Sequence, residues 1–217
     1  MSSNSAFLRI VLDTCESALV RRGFRRLRLH SVVHDINNEF LGWVGLNHGR
    51  EGPAVRINPF VGVHCIPMMK LIAELTGSKY QVGRYATFAV HLGEIDPKFH
   101  PFDFSSDTDI DAKAEDMADH LCREAIPFME KYGNYAELLP ALTERVPELG
   151  GFPQRVAAGL YLTGKKEEAL EFVRERRSEY LADEEAVRES FDRFAIPFLE
   201  LVSRQHVDSP HFNARLN

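Results

Sequence analysis

Three aspartates at alternate positions form the first group of residues in this chain whose spacing could do chemistry. Asp107, Asp109 and Asp111 match the alternating carboxylates with which a calcium-binding loop surrounds a hard cation. The rest of that pattern is missing, because its sixth position is Ala112 instead of glycine and its twelfth is Ala118 instead of glutamate. A helical pattern begins here, and carboxylates stabilise the N-terminus of a helix through its dipole. The sequence therefore predicts helix capping and not a calcium site.

Three histidines are the next candidates, as metal ligands or as catalytic bases. His34, His64 and His91 fall on or beside predicted strands, so a sheet could bring their imidazoles together. None belongs to a short-spaced ligand pair, and the sequence predicts neither a metal site nor a cofactor. A nucleophile pair of Cys65 with His91 or His34 is a second possibility. Cys65 follows an apolar run, which predicts a buried, unreactive thiol, and no catalytic residue is predicted.

Opposite charges concentrate in two segments, although the net charge of the chain is only -6. The basic segment contains Arg21, Arg22, Arg25, Arg26 and Arg28, and the acidic segment contains Asp103, Asp107, Asp109, Asp111, Glu115, Asp116 and Asp119. We interpret both as solvated faces that face one another within the fold. Either segment could also attract a partner of opposite charge. The candidate partner-binding residues are Asp107, Asp109, Asp111, Glu115, Arg21, Arg22, Arg25 and Arg26.

Aromatic residues near the predicted sheet allow one further kind of site. Trp43, Tyr80, Tyr85 and Phe88 could stack on bases, and a sheet with aromatics and nearby arginines can bind RNA. The glycine-aromatic motif of such sheets is missing, and these aromatics are more often part of a core. Nucleic-acid binding through the arginines between residues 21 and 28 is therefore a secondary alternative.

The N-terminal half must supply the sheet that positions these residues. An amphipathic helix over residues 6 to 22 is followed by segments that alternate at period two, which is typical of strands. We predict a strand that has Leu27, Leu29 and Val33 on one face and ends at the turn pair Asn37-Asn38. Further strands are predicted from 40 to about 46, from 55 to 63 and from 85 to 92, with a turn over 48 to 53. A helix is predicted over residues 66 to 75. The fold class is therefore α+β, with an antiparallel sheet of about four to five strands and flanking helices in residues 1–104.

The C-terminal half, residues 105–217, is predicted to be all helical and to pack as one unit with the sheet. The phrase at Ala125–Glu130 returns at Ala195–Glu200, and each copy places a proline inside a helical stretch. Such prolines cost roughly 3 kcal/mol and predict a kink or a helix restart. Residues 152 to 180 are loosely similar to a tetratricopeptide hairpin, but one hairpin cannot make a solenoid. Whether the two phrases reflect a duplication stays open.

The bulk properties are typical of a cytoplasmic protein. The hydrophobic content of 44% and charged content of 27% are ordinary for a globular chain of 217 residues. The three cysteines are widely spaced, which fits a reducing compartment better than a disulfide framework. The N-terminus has no secretory pattern, and no apolar run approaches the roughly 20 residues needed to cross a membrane. The sequence predicts no membrane association, and it does not predict an oligomeric state.

The order of several short motifs resembles certain bacterial proteins that carry a domain of unknown function. The motifs are Arg22-Gly23-Phe24 at the end of a helix, Val55-Arg56-Ile57-Asn58 in a meander, and then Ile126–Tyr132 and Leu138-Leu139. The resemblance covers residues 5 to 145, and residues 152 to 205 lie outside it. Some of these proteins are encoded beside polymorphic toxins as candidate immunity proteins. The resemblance brings no catalytic residues.

These observations predict a non-catalytic protein-binding protein, with toxin immunity as the specific form that the resemblance implies. Such a protein would occlude the active site of its toxin, and charge complementarity would speed association. One alternative is an enzyme or small-molecule sensor, with a site between the sheet and the helical half that uses His34, His64 and His91. Nucleic-acid binding through the basic segment is the other alternative.

Overall fold

The architecture is that of a computed structural model, which describes residues 3–27, 30–52, 54–148, 152–180 and 185–207. Its helices are α1 (Ser3–Arg21), α2 (Ile66–Leu75), α3 (Leu92–Ile95), α4 (Ile110–Tyr132), α5 (Tyr135–Glu144), α6 (Pro153–Leu162), α7 (Lys166–Tyr180) and α8 (Glu185–Val207). Its strands are β1 (Arg25–Arg26), β2 (Ser31–Asp35), β3 (Phe40–Gly45), β4 (His48–Glu51), β5 (Ala54–Ile57), β6 (Phe60–Cys65), β7 (Phe88–His91) and β8 (Phe102–Phe104). The described part of the chain contains no helix with the length and apolarity needed to span a membrane.

The chain divides into two compact units that interleave along the sequence. The first unit comprises Met1–Ile66 and Gln81–Glu137, and the second comprises Pro67–Tyr80 and Leu138–Asn217. The boundary after residue 104 that the sequence suggests falls inside the first unit.

A five-stranded antiparallel sheet forms the centre of the first unit, in the order β1-β2-β3-β6-β7. A smaller antiparallel sheet has the order β4-β5-β8. Helices α1 and α4 pack together, and α4 lies against β3 and β6. The contact is close at Gly42, where a Cβ atom would lie 2.5 Å from the Met129 sulfur. With the helical C-terminal half, this architecture confirms the predicted α+β class.

The first two strands differ from the prediction of one strand from Leu27 to the turn at Asn37-Asn38. Arg25 and Arg26 of β1 pair with Val33 and Val32 of β2 in antiparallel register. Arg28 and Leu29 lie outside the described residues. His30 has a positive φ of 55°, which a residue with a side chain seldom adopts. The predicted strand is therefore a small hairpin.

The predicted turn over residues 48 to 53 is wrong, because His48–Glu51 forms strand β4. The glycine and charged residues of β4 favour a turn by their local propensity. The backbone nevertheless pairs residue by residue with β5. Tertiary pairing outweighs local propensity here, as it often does in short strands.

The second unit contains the helical hairpin that the sequence predicts over residues 152 to 180. Helices α6 and α7 form it, and α8 packs against both. The core is dominated by aromatic and small residues: Ala157, Ala169, Val173, Phe191, Phe194, Ala195, Phe198 and Val202. The two repeated prolines, Pro127 and Pro197, lie inside α4 and α8 as predicted.

Candidate functional site

The basic and acidic segments meet between α1 and α4, as their interpretation as facing surfaces predicts. Arg21 Nε donates to Glu115 Oε1 at 2.9 Å, and Arg22 Nε donates to Asp119 Oδ1 at 2.7 Å. Arg22 also pairs with Glu115. The hydrogen bonds from these arginines hold the pKa values of Glu115 and Asp119 below their usual ranges. We call these four residues the ion-pair network.

The other described arginines of the basic segment are paired as well. Arg25 Nη2 donates to Asp35 Oδ1 at 2.6 Å, and this bond lowers the pKa of Asp35. Arg26 Nε lies 2.8 Å from Glu16 Oε2. Glu16 is only 4% exposed, and its second oxygen lies 2.9 Å from His30 Nδ1. A buried carboxylate needs such partners, because an unpaired charge is costly away from water. Arg28 lies outside the described residues.

The three alternating aspartates form the start of α4. Asp109 is the N-cap, and its side chain accepts a hydrogen bond from the Ala112 N–H at 3.1 Å. Asp107 accepts from the Ser105 hydroxyl, which lowers the pKa of Asp107. Asp111 is exposed in the first turn. No group of three His, Cys, Asp or Glu residues within the described ranges is arranged to hold a metal ion. The capping prediction is confirmed.

The three histidines do not converge, because the strand register places His34 on one face of the sheet and separates His64 from His91 along the other. His34 is paired with Gly42 on the face that α4 covers, whereas His64 is paired with Leu41, one residue away on β3. Neighbouring residues on a strand point to opposite faces, so His34 and His64 are separated by the sheet. His91 is paired with Phe60 and shares the face of His64, four residues farther along β6.

His91 has a local structural task at the end of β7. It caps α3, where its Nδ1 accepts from the Gly93 N–H at 3.1 Å. Its Nε2 is bonded to the Asn58 side chain. Both ring nitrogens are therefore engaged, which fixes the neutral tautomer that carries its proton on Nε2.

The thiols are in environments that suppress their reactivity. Burial raises the pKa of Cys15 to about 12 and, to a smaller extent, raises that of Cys122. Cys65 lies 3.4 Å from the Tyr135 hydroxyl, whose pKa is raised by burial and by this contact. Cys65 is paired with Phe40 on the face of the sheet opposite to His91, so the suggested pair of Cys65 with His91 does not form.

The third predicted histidine, His64, binds a loop on the face of the sheet opposite to α4. The loop comprises Gln81–Tyr85, and we call it the docking loop. His64 is 1% exposed. Its Nδ1 lies 2.8 Å from the Tyr85 carbonyl, and the Gly83 N–H donates to its Nε2 at 3.3 Å. A neutral imidazole with its proton on Nδ1 satisfies both bonds at once.

A third hydrogen bond to the loop comes from Trp43, whose indole N–H donates to the Gly83 carbonyl at 2.8 Å. The fit around Gly83 is tight. A Cβ atom there would lie 2.3 Å from Leu27 Cδ1, and the φ of 62° disfavours any residue with a side chain. The backbone of the docking loop is therefore held in one conformation.

The side chains of the docking loop, in contrast, are directed to solvent. Val82 is 45% exposed and Tyr85 is 56% exposed, although neither is small or polar. The guanidinium of Arg84 lies 5.1 Å from the centroid of the Tyr85 ring. Stacking of this kind orients both groups. The combination of a fastened backbone with exposed aromatic, aliphatic and arginine side chains is the candidate functional site.

Sequence reasoning noted Trp43 and Tyr85 as aromatics near the sheet but expected them in the core. Tyr85 lies at the surface. The signal that could have identified the docking loop is weak: a glycine between Val82 and Arg84, next to an aromatic residue, outside any periodic element.

The fold and the site together define an α+β protein that presents a fastened loop with exposed aromatic and arginine side chains. Comparisons with protein-family models, with curated proteins and with solved structures found no match for this chain. The function must therefore be argued from the geometry itself.

Proposed function

We propose that the protein binds another protein and performs no catalysis, and that the docking loop is its main contact. The observation that carries this proposal is the contrast at Gln81–Tyr85 between a backbone held by Trp43 and His64 and side chains left to solvent. Tyrosine and arginine are the residue types that contribute most often to the free energy of protein binding.

A fastened loop lowers the cost of association. Flexible loops lose conformational entropy when a partner orders them, whereas a loop that is already ordered does not. Tyr85 adds a large, rigid contact area at little entropic cost, because its side chain has only two rotatable bonds. The docking loop has both properties before any partner arrives.

The chemistry of the loop favours an acidic partner surface. Arg84 is the charged residue among Gln81–Tyr85, and only its contact with Gln81 Oε1, at 3.3 Å, engages its donors within the described hydrogen bonds. Its remaining N–H groups suit a carboxylate, which an arginine can bind with two parallel bonds. The partner we propose therefore offers an apolar socket for Tyr85 beside a carboxylate for Arg84.

The specific form of the proposal is toxin immunity, and its support is the motif resemblance in residues 5 to 145. Occlusion requires only a preformed surface that covers the active site of the toxin. The docking loop supplies such a surface without any reacting group.

The test is affinity capture from the host with matched variants. Wild-type protein, Tyr85→Ala, Arg84→Ala and the control Ile10→Ala are immobilised in equal amounts, and bound proteins are identified by mass spectrometry. Ile10 is 53% exposed on α1 and lies outside the loop, so its truncation removes a comparable exposed apolar group. The expected result is one protein retained by wild type and by Ile10→Ala, and bound roughly tenfold or more weakly by Tyr85→Ala.

Equal retention by all four proteins would show that the docking loop is not the contact. Capture of nothing by wild type would contradict protein binding itself. The immunity form is tested separately, by expressing the captured partner in a cell with and without this protein. Toxicity that wild type suppresses and Tyr85→Ala does not would support occlusion, and a harmless partner would contradict it.

A further inference from the structure

A hollow at the end of α1 combines an apolar floor with a rim of arginines. It has a volume of about 560 Å³ and is lined by Ser17, Val20, Arg21, Phe24, Arg25 and Arg26. Sites for small molecules usually measure roughly 300 to 1,000 Å³ and join apolar walls to a few well-placed polar groups. We call this site the arginine hollow. It is separate in residues from the docking loop.

Each arginine of the rim is fixed by an oxygen acceptor outside the hollow. Glu115 holds Arg21, Asp35 holds Arg25, and Glu16 holds Arg26. Arg26 Nη2 also donates to the Ser17 hydroxyl at 2.9 Å and to the Asp13 carbonyl at 3.1 Å. These contacts place the guanidinium groups before any ligand binds, which reduces the entropy that binding must remove.

Not all donors on the rim are used. A guanidinium carries five N–H donors. Among the described hydrogen bonds, those of Arg21 engage its Nε and Nη2 and that of Arg25 engages its Nη2. Arg21 Nη1 and Arg25 Nε and Nη1 therefore remain available for an acceptor in this part of the structure.

The charge balance indicates which acceptor fits. Arg21, Arg22, Arg25 and Arg26 face four carboxylates, those of Glu115, Asp119, Asp35 and Glu16. Because these charges cancel, the hollow offers directed hydrogen bonds without a strong positive field. A polyanion such as nucleic acid gains little from that arrangement. A single carboxylate gains two charge-assisted bonds.

The apolar residues that line the hollow indicate the chemistry of the part of the ligand beyond its carboxylate. Val20 is an exposed apolar side chain of the hollow, and Phe24, which also lines it, is almost fully buried. An apolar group placed against Val20 would remove both surfaces from water. We propose that the arginine hollow is a binding site for a small organic carboxylate with an apolar body, held by Arg21 and Arg25 at its acid end and by Val20 at its apolar end.

The test uses hexanoate as the probe and hexanamide as its neutral counterpart, with binding followed by NMR at the Arg21 and Arg25 Nε–H signals. Hexanoate should shift the Arg25 signal saturably, and hexanamide should bind roughly tenfold or more weakly, because the neutral amide forms no charge-assisted hydrogen bond with its oxygen. Arg25→Gln should weaken hexanoate binding to a similar extent. Val20→Ser should weaken hexanoate but leave the response to acetate unchanged.

Arg9→Gln is the matched control, since Arg9 is an exposed arginine of α1 that does not line the arginine hollow and whose described partner is Asp13. It should bind hexanoate as wild type does. Equal binding of hexanoate and hexanamide, or no shift at millimolar hexanoate, would overturn the proposal. The proposal would also be overturned if the Arg25→Gln protein, with the same circular dichroism spectrum as wild type, bound hexanoate with unchanged affinity.

Discussion

The ion-pair network and the docking loop are both at the surface, but they use their polar groups in opposite ways. In the network, the charged side chains of Arg21, Arg22, Glu115 and Asp119 bind one another. In the docking loop, the backbone is bound and the side chains of Val82, Arg84 and Tyr85 remain in solvent. Charge density in a sequence is therefore a poor guide to the surface that a partner can use. A better indication of a binding surface is a backbone held by hydrogen bonds whose side chains stay exposed to solvent.

The largest effect is expected from His64→Ala, which tests whether the backbone of the docking loop is held by hydrogen bonds to the sheet. The change leaves the Gly83 N–H and the Tyr85 carbonyl without their partner and creates a buried void, so the free energy of unfolding should fall by about 2–4 kcal/mol. Urea denaturation followed by circular dichroism measures the loss. His48→Ala is the control, because His48 is exposed, lies 3.4 Å from the Leu46 carbonyl and otherwise makes an edge contact with the partly exposed His30 ring. Similar losses in both variants would show that His64 does not fasten the loop.

Gly83→Ala tests the conformation of the docking loop more gently. The added methyl meets Leu27 and Val33, and the positive φ adds backbone strain, so we expect a loss of about 1–3 kcal/mol in unfolding free energy. Gly49→Ala is a matched control, since nothing lies within 4 Å of its Cβ position and its φ is not positive. Thermal unfolding of the two variants gives the difference. A Gly83→Ala protein as stable as Gly49→Ala would mean that the loop is adaptable.

Acid should weaken the ion-pair network. The pKa of Glu115 is lowered by its bonds to Arg21 and Arg22, so the folded state holds this proton less tightly than the unfolded state. The stabilisation is therefore complete above the ordinary glutamate pKa of 4.5 and is lost as the pH falls through the lower folded value. Wild type should exceed Glu115→Gln in stability at pH 7, and the difference should shrink below pH 4.5. A difference that is constant with pH would contradict the pairing.

The smallest effect is expected at the exposed aspartates beside the network. The docking loop favours a carboxylate at its own contact, and a basic region elsewhere on the partner would meet the acidic segment. Alanine at Asp107, Asp109 and Asp111 together should then slow association and reduce its salt dependence, because long-range steering is lost. Asp109 also caps α4, so Asp107→Asn with Asp111→Asn, which leaves that cap in place, is the cleaner variant. Stopped-flow association at low and high salt measures the change. Unchanged kinetics at low salt would remove the acidic segment from the interface.

Local patterns predicted much of the fold. The periodicity of the apolar residues indicated α1 and the hairpin of α6 and α7, and the aspartate before α4 indicated its cap. Strand β4 was missed, since its glycine and charged residues resemble a turn and only its pairing with β5 makes it a strand. Local propensity does not report such long-range pairing.

The candidate site was harder to predict for the same reason. To place His34 and His64 on opposite faces, one must know how β2, β3 and β6 pair residue by residue. Local sequence patterns do not determine that register. The bonds between His64 and the docking loop join residues about twenty positions apart and follow no repeat. The contact of the basic and acidic segments was predictable because opposite charges on two helices attract.

Trp43 gives the molecule an optical property of its own. It is the single tryptophan of the chain, and its indole N–H is bonded to the Gly83 carbonyl. The tryptophan fluorescence of the protein, which selective excitation separates from that of its six tyrosines, therefore originates from one side chain that contacts the docking loop. Detachment of the loop from Trp43, or binding of a partner to the loop, would shift the wavelength of the Trp43 emission maximum. Binding could therefore be followed without an attached label.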